Sequence, residues 1–89
     1  MIQEPLTIIN KLGLHARAAA KLVTLACSFK SDIQLQCKGK TANGKSIMSV
    51  LMLAAAKGSE ITFIIHGPDE YTAFSALKQL INHRFDEEE

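Results

Sequence analysis

The run Gly13-Leu14-His15-Ala16-Arg17-Ala18-Ala19-Ala20 sets an imidazole and a guanidinium where a loop becomes a helix. A helix start leaves backbone N–H groups unpaired and carries partial positive charge, and together these favour an anion. The same field disfavours imidazolium, so His15 keeps a ring nitrogen free for nucleophilic attack. Should that nitrogen take a phosphoryl group, the new charge meets the amides near Ala16 and Arg17. The Arg17 fork can then grip two phosphoryl oxygens at once. A phosphoryl bound to nitrogen is a high-energy group, so the domain need only hold it and pass it on. Donor and acceptor proteins can supply the rest of the positioning and charge stabilisation. That chemistry fits a phosphoryl carrier better than a stand-alone enzyme. On spacing alone, an exposed histidine with no chemical task is an equal reading. His66, at a strand end, and His83, in a last helical turn where a cation is favoured, read as structural or solvated.

The elements that must position His15 follow from the apolar pattern. Leu6 to Ile9 reads as a strand before the loop. A first helix, about Ala16 to Phe29, aligns Ala19, Val23, Ala26 and either Leu22 or Phe29. Its alanines favour helix and allow close packing on a sheet. Asp32 to Lys38 alternates, with Ile33, Leu35 and Cys37 on one side, which predicts a strand covered on one face. Gly39 turns the chain into a short partner strand at Lys40-Thr41-Ala42. After Asn43-Gly44, Ser46 is an N-cap candidate for a short helix, Ile47 to about Ala55, with Ile47, Val50, Leu51 and Ala54 on one stripe. Glu60 to His66 is a further strand, with Ile61, Phe63 and Ile65 in phase. Asp69 is the N-cap candidate for a last helix, about Glu70 to Phe85, which buries Phe74, Leu77, Leu80, Ile81 and Phe85. The order is β-α-β-β-α-β-α. Its short connections demand antiparallel pairing, which predicts an α+β domain with helices on one face of the sheet.

At 89 residues the chain makes one domain, with room for a two-layer core but hardly for a cleft between lobes. The formal charge of +1 conceals an asymmetry. The first 85 residues carry ten Lys or Arg against five Asp or Glu, and Asp86 to Glu89 are all acidic. A basic body suits acidic partners or phosphorylated groups. Scattered basic residues and few aromatics argue against nucleic acid. Cys27 and Cys37 lack metal-ligand spacing and read as small buried apolar residues, so neither a metal nor a cofactor is expected. With no stretch near membrane-spanning length and no leader-like start, the expectation is a cytoplasmic protein that does not enter a membrane.

Three motifs then converge. Gly13-Leu14-His15-Ala16-Arg17, Lys45-Ser46-Ile47-Met48 and Lys57-Gly58-Ser59-Glu60-Ile61 resemble the histidine-containing phosphocarrier (HPr) family of the bacterial phosphotransferase system, over about residues 2–85. The resemblance implies an open-faced β-sandwich, a four-stranded antiparallel sheet with three helices on one side. It implies a phosphoryl group received from enzyme I on Nδ1 of His15, stabilised by Arg17, and passed to an enzyme IIA protein. Ser46 matches a position that some bacteria phosphorylate for regulation, although a plain N-cap, which needs no kinase, is the favoured reading. Ala18 stands where sugar-branch members commonly have proline, and Ser49 where they have glycine. Ala18-Ala19-Ala20 is closer to the nitrogen-related branch (NPr), which implies a regulatory setting.

The expected docking face combines Leu14, Ala18, Ile47, Met48, Leu51 and Met52 with Arg17, Lys21 and Lys45 around them. An apolar centre rimmed by cations suits transient acidic partners. The competing reading places several of these residues in the core, Ile47 and Leu51 first. The acidic end could reach Arg17, but carboxylates at a helix C-terminus are unfavourable, so residues 86–89 read as a solvated, disordered tail. A carrier that meets two partners in turn is most simply a monomer. The alternatives are a sugar-branch carrier, a non-phosphorylated regulatory binding module of the same fold, and a small RNA-binding domain. Phe63 alone on the strands offers too little stacking surface for the last of these.

Overall fold

The computed structural model describes residues 1–87. Four strands, β1 (Ile2–Thr7), β2 (Asp32–Cys37), β3 (Lys40–Asn43) and β4 (Glu60–His66), form one sheet in the order β1-β4-β2-β3, every neighbouring pair antiparallel. Three helices, α1 (Ala16–Cys27), α2 (Ile47–Met52) and α3 (Glu70–Asn82), join them in the expected chain order. Ile33, Leu35, Ile61, Phe63 and Ile65 point from the sheet into the core. They meet Ala18, Ala19, Leu22, Val23 and Ala26 of α1, Val50 of α2, and Ala73, Leu77 and Ile81 of α3. The opposite sheet face, with Gln34 and Gln36, is open. This is the open-faced α+β sandwich. Among the described residues no helix is long and apolar enough to cross a membrane.

Several boundaries moved. β1 begins at Ile2, four residues before the expected strand, because Glu4 and Pro5 interrupt the apolar pattern. Pro5 is tolerated because β1 lies at the sheet edge, where one row of amides has no strand to meet. Lys38 and Gly39, both with positive φ (50° and 82°), make the two-residue turn between β2 and β3. The right-handed twist of the strands favours that turn geometry. α2 stops at Met52, short of Ala55, and Ala54 takes a positive φ of 51°. Val50 is its buried residue, while Ile47 and Ala54, expected on the inward stripe, are exposed. α3 ends at Asn82, and Phe85 reaches the core from a separate turn. Cys27 is exposed where burial was expected, because the last turn of α1 faces the Lys45 carbonyl (Sγ to O, 3.8 Å) and not the sheet; Cys37 is buried, and both thiols are free.

Asp69 does not cap α3 with its side chain. Its carboxylate instead accepts the amides of Lys30 and Ser31, each at 2.9 Å, and the Ser31 hydroxyl at 2.5 Å, tying the α1–β2 turn to the start of α3. Glu70 accepts the Gly67 amide (3.1 Å) and the N-terminal ammonium (2.9 Å). The Ser31 hydroxyl and the Lys30 amide hold the Asp69 carboxyl below its ordinary range, and the N-terminal ammonium does the same for Glu70. A carboxyl depressed on folding stabilises above its unfolded pKa and loses that contribution as pH falls through the folded one. Asp69→Asn should therefore lower stability near neutrality, and the gap to the parent protein should close as urea titrations move well below pH ~4. A gap that is constant with pH would show that Asp69 acts through packing alone.

Candidate functional site

The loop before α1 is built to hold one histidine at the helix start. Ile8 and the 58–59 turn exchange backbone bonds: the Ile8 amide donates to the Ser59 carbonyl (2.9 Å) and the Gly58 amide to the Ile8 carbonyl (2.7 Å). Gly13 has φ +66°, and a Cβ there would lie 2.6 Å from the Ala55 carbonyl oxygen and 2.9 Å from the Ala56 Cα. Both the conformation and the close approach require glycine. One residue on, the Leu14 amide donates to that same Ala55 carbonyl (2.8 Å). The 55–59 segment thus braces the chain that leads into α1.

His15 is the N-cap of α1, in extended conformation, with its carbonyl accepting the Ala19 amide at 2.8 Å. Its Nδ1 accepts the Arg17 amide (3.3 Å), the position a serine or aspartate oxygen usually fills. Nδ1 therefore presents its lone pair to the helix amides. The ring is partly exposed, at 25%. Arg17 projects from the first turn into solvent.

Two residues at the site were not foreseen. Asn10, wholly buried, donates through Nδ2 to the Gly13 carbonyl (2.8 Å) and to Glu87 Oε1 (2.9 Å). The other Glu87 oxygen, Oε2, lies in hydrogen-bond contact with His15 Nε2. The reading of residues 86–89 as a solvated tail does not hold for Asp86 and Glu87; Glu88 and Glu89 lie outside the described residues. The objection from the α3 dipole does not apply, because the chain reverses after Asn82. Arg84, Phe85 and Asp86 all take positive φ (54°, 53° and 63°). Phe85 is completely buried, Lys21 Nζ donates to its carbonyl (2.7 Å), and the same ammonium lies 3.7 Å from Asp86. The turn carries Glu87 from the negative end of α3 to the positive end of α1. The Asn10 amide, then the His15 ring, with the nearby charge of Arg17, hold the Glu87 carboxyl below its ordinary range against the opposing effect of burial. Asn10 had a weak signal, a turn-forming residue three before a glycine. The acidic run gave no hint of which carboxylate would bind.

The expected docking residues divide. Met48 and Met52 are 69% and 72% exposed, with Ile47 and partly Leu51 beside them. Leu14 and Ala18 do not belong to that face: both are buried in the core, Ala18 from the first turn of α1 and Leu14 from the loop before it, where its amide is tied to Ala55. Lys21 is engaged by the Phe85–Asp86 turn, and Lys45 Nζ donates to the Phe29 carbonyl (2.8 Å) beyond the end of α1. Ser46 is the N-cap of α2, its hydroxyl accepting the Ser49 amide at 3.4 Å.

A histidine whose Nδ1 faces helix amides, with an arginine two residues on, can bind and release a phosphoryl group. Comparison with known proteins agrees: the family profile described as the PTS HPr component phosphorylation site matches residues 2–83. The chain belongs to the HPr family. It is 53% identical over 89 residues to the phosphocarrier protein HPr of Cupriavidus necator, with all of both chains covered. Against that of Xylella fastidiosa it is 50% identical over 88 residues, covering 99% of each. The crystal structure of HPr-C-His from Thermoanaerobacter tengcongensis superposes with a TM-score of 0.95 at 39% identity, over the full length of both chains. The chain is an HPr-type phosphocarrier of the phosphotransferase system.

Proposed function

We propose that this carrier accepts a phosphoryl group on Nδ1 of His15 from enzyme I and passes it to an enzyme IIA protein, as a monomer in the nitrogen-related branch. The Nδ1 lone pair turned to the start of α1 carries the reading. A phosphoryl bonded there sits against the first-turn amides, and Arg17, exposed beside it, supplies a two-pronged cation. Ala18 and Ser49 favour the nitrogen-related branch, since sugar-branch members commonly carry proline and glycine at these places. The acceptor and the donor meet the same exposed patch of Ile47, Met48 and Met52, whose flexible thioethers adapt to more than one surface. Solved relatives include HPr and Crh dimers, so the monomer is tested directly by sedimentation.

Incubation with phosphoenolpyruvate and enzyme I should give an acid-labile mass increase of one phosphate. Transfer should be faster from the nitrogen-branch enzyme I than from its sugar-branch counterpart. Equal rates would overturn the branch assignment, and no mass increase with either would overturn the carrier reading at His15. Ser46→Asp, which keeps an N-cap acceptor while adding charge beside Met48, should weaken enzyme I binding without loss of fold. Unchanged transfer kinetics would remove Ser46 from any regulatory account.

A further inference from the structure

We infer that Glu87 is a positioning residue for phosphoryl transfer: its carboxylate holds the proton of His15 on Nε2 and so leaves Nδ1 as the nucleophilic nitrogen. The inference rests on the carrier reading above. Nδ1 accepts a backbone N–H from Arg17, which requires that it be unprotonated in the neutral ring. The remaining proton is then on Nε2, and the group facing Nε2 is Glu87 Oε2. A carboxylate can only accept, so the pair is matched in that tautomer and mismatched in the other.

The carboxylate is held from both sides. Asn10, fully buried and itself bonded to the Gly13 carbonyl, fixes Oε1. Buried Phe85 and the Lys21 contacts to Phe85 and Asp86 fix the turn that presents Glu87. Its side chain is only 12% exposed. Three successive non-glycine residues in left-handed conformation are costly, and that conformation persists where surrounding contacts over-determine it.

The arrangement leaves the reacting edge open, because Glu87 meets Nε2 and the phosphoryl group would meet Nδ1. In transfer, the Nδ1 lone pair forms the new N–P bond while the donor's bond to phosphorus breaks and its electron pair stays with the donor. No proton leaves His15. The ring, still protonated on Nε2, gains positive charge opposite the Glu87 carboxylate, which stabilises it as it develops. On transfer to the acceptor the same charge is withdrawn, and the contact returns to its resting strength.

The test compares the full chain with Glu87→Gln and Glu87→Ala. Ring nitrogen and Nε2 proton resonances, recorded without any donor, should show a downfield, slowly exchanging Nε2–H in the parent protein that both variants lose. Glu87→Gln can turn its NH2 toward Nε2 and draw the proton to Nδ1, the wrong tautomer for attack. Its rate of phosphoryl uptake from phosphorylated enzyme I should fall on the order of tenfold or more, with Glu87→Asp recovering part of it. Identical ring resonances in all three proteins, or unchanged uptake by Glu87→Gln, would overturn the role of Glu87. A parent protein that takes no phosphoryl group would overturn the carrier reading instead, which separates the two failures.

Discussion

Replacing His15 with alanine should leave a folded domain that takes no phosphoryl group from phosphoenolpyruvate and enzyme I. The change removes two things at once, the nucleophilic Nδ1 and the side-chain acceptor for the Arg17 amide. Loss of an N-cap acceptor costs about 1 kcal/mol, small against the stability of a domain of this size. Loss of the nucleophile has no substitute, since His66 ends β4 and His83 follows the last turn of α3, where neither ring accepts a helix amide. His15→Asn separates the effects, because its amide oxygen can cap α1 while offering no nitrogen lone pair for attack. Calorimetry should place His15→Asn above His15→Ala in stability, and mass spectrometry should find both unmodified. A phosphate on either variant would move the acceptor to another residue.

Phe85→Ala should have the largest effect on stability of any change near the site. The ring is wholly buried among the core residues, and truncating such a phenylalanine costs about 3–5 kcal/mol, a large fraction of what a small domain has. The conformation of Arg84, Phe85 and Asp86 adds to the consequence. Without the buried ring, little compensates three residues held at positive φ, so the turn should relax. Glu87 would leave Asn10 and His15 with it. Urea unfolding measures the first effect and the Nε2 proton resonance of His15 the second. Phe85→Leu, which keeps most of the apolar volume, should preserve both to a large degree. A loss under about 1 kcal/mol would show that the turn contributes little to folding.

The sequence made the site legible where chemistry and local structure coincide. His15 and Arg17 stand out because glycine precedes them and an alanine-rich helix follows, and those local signals need no tertiary knowledge. The alternation of Ile33, Leu35 and Cys37, and of Ile61, Phe63 and Ile65, likewise gives β2 and β4 directly. What escaped depends on partners distant along the chain. Asp69 looks like an N-cap of α3, but its carboxylate is taken by Lys30 and Ser31, thirty-eight or thirty-nine positions away. Glu87 looks like solvated charge, and nothing in its neighbourhood reveals that a left-handed turn aims it at a histidine seventy-two residues earlier. Ala18 and Leu14 stand beside docking-face residues in the sequence, whereas the rotation of α1 turns Ala18 inward and the loop held by Ala55 does the same for Leu14. Cys27 failed in the opposite direction, for the same reason. Helix phase at the last turn is settled by tertiary contact.

A carrier must also let go, and the sheet borders bear on that. An exposed strand invites another chain to pair with it, a bond that is slow to undo. Here β1 carries Pro5, which has no amide to donate, and β3 is four residues long and opens with Lys40. Neither border offers a long row of adhesive backbone groups. Contact is thereby steered to side chains on the helical layer, where brief encounters and rapid turnover are possible.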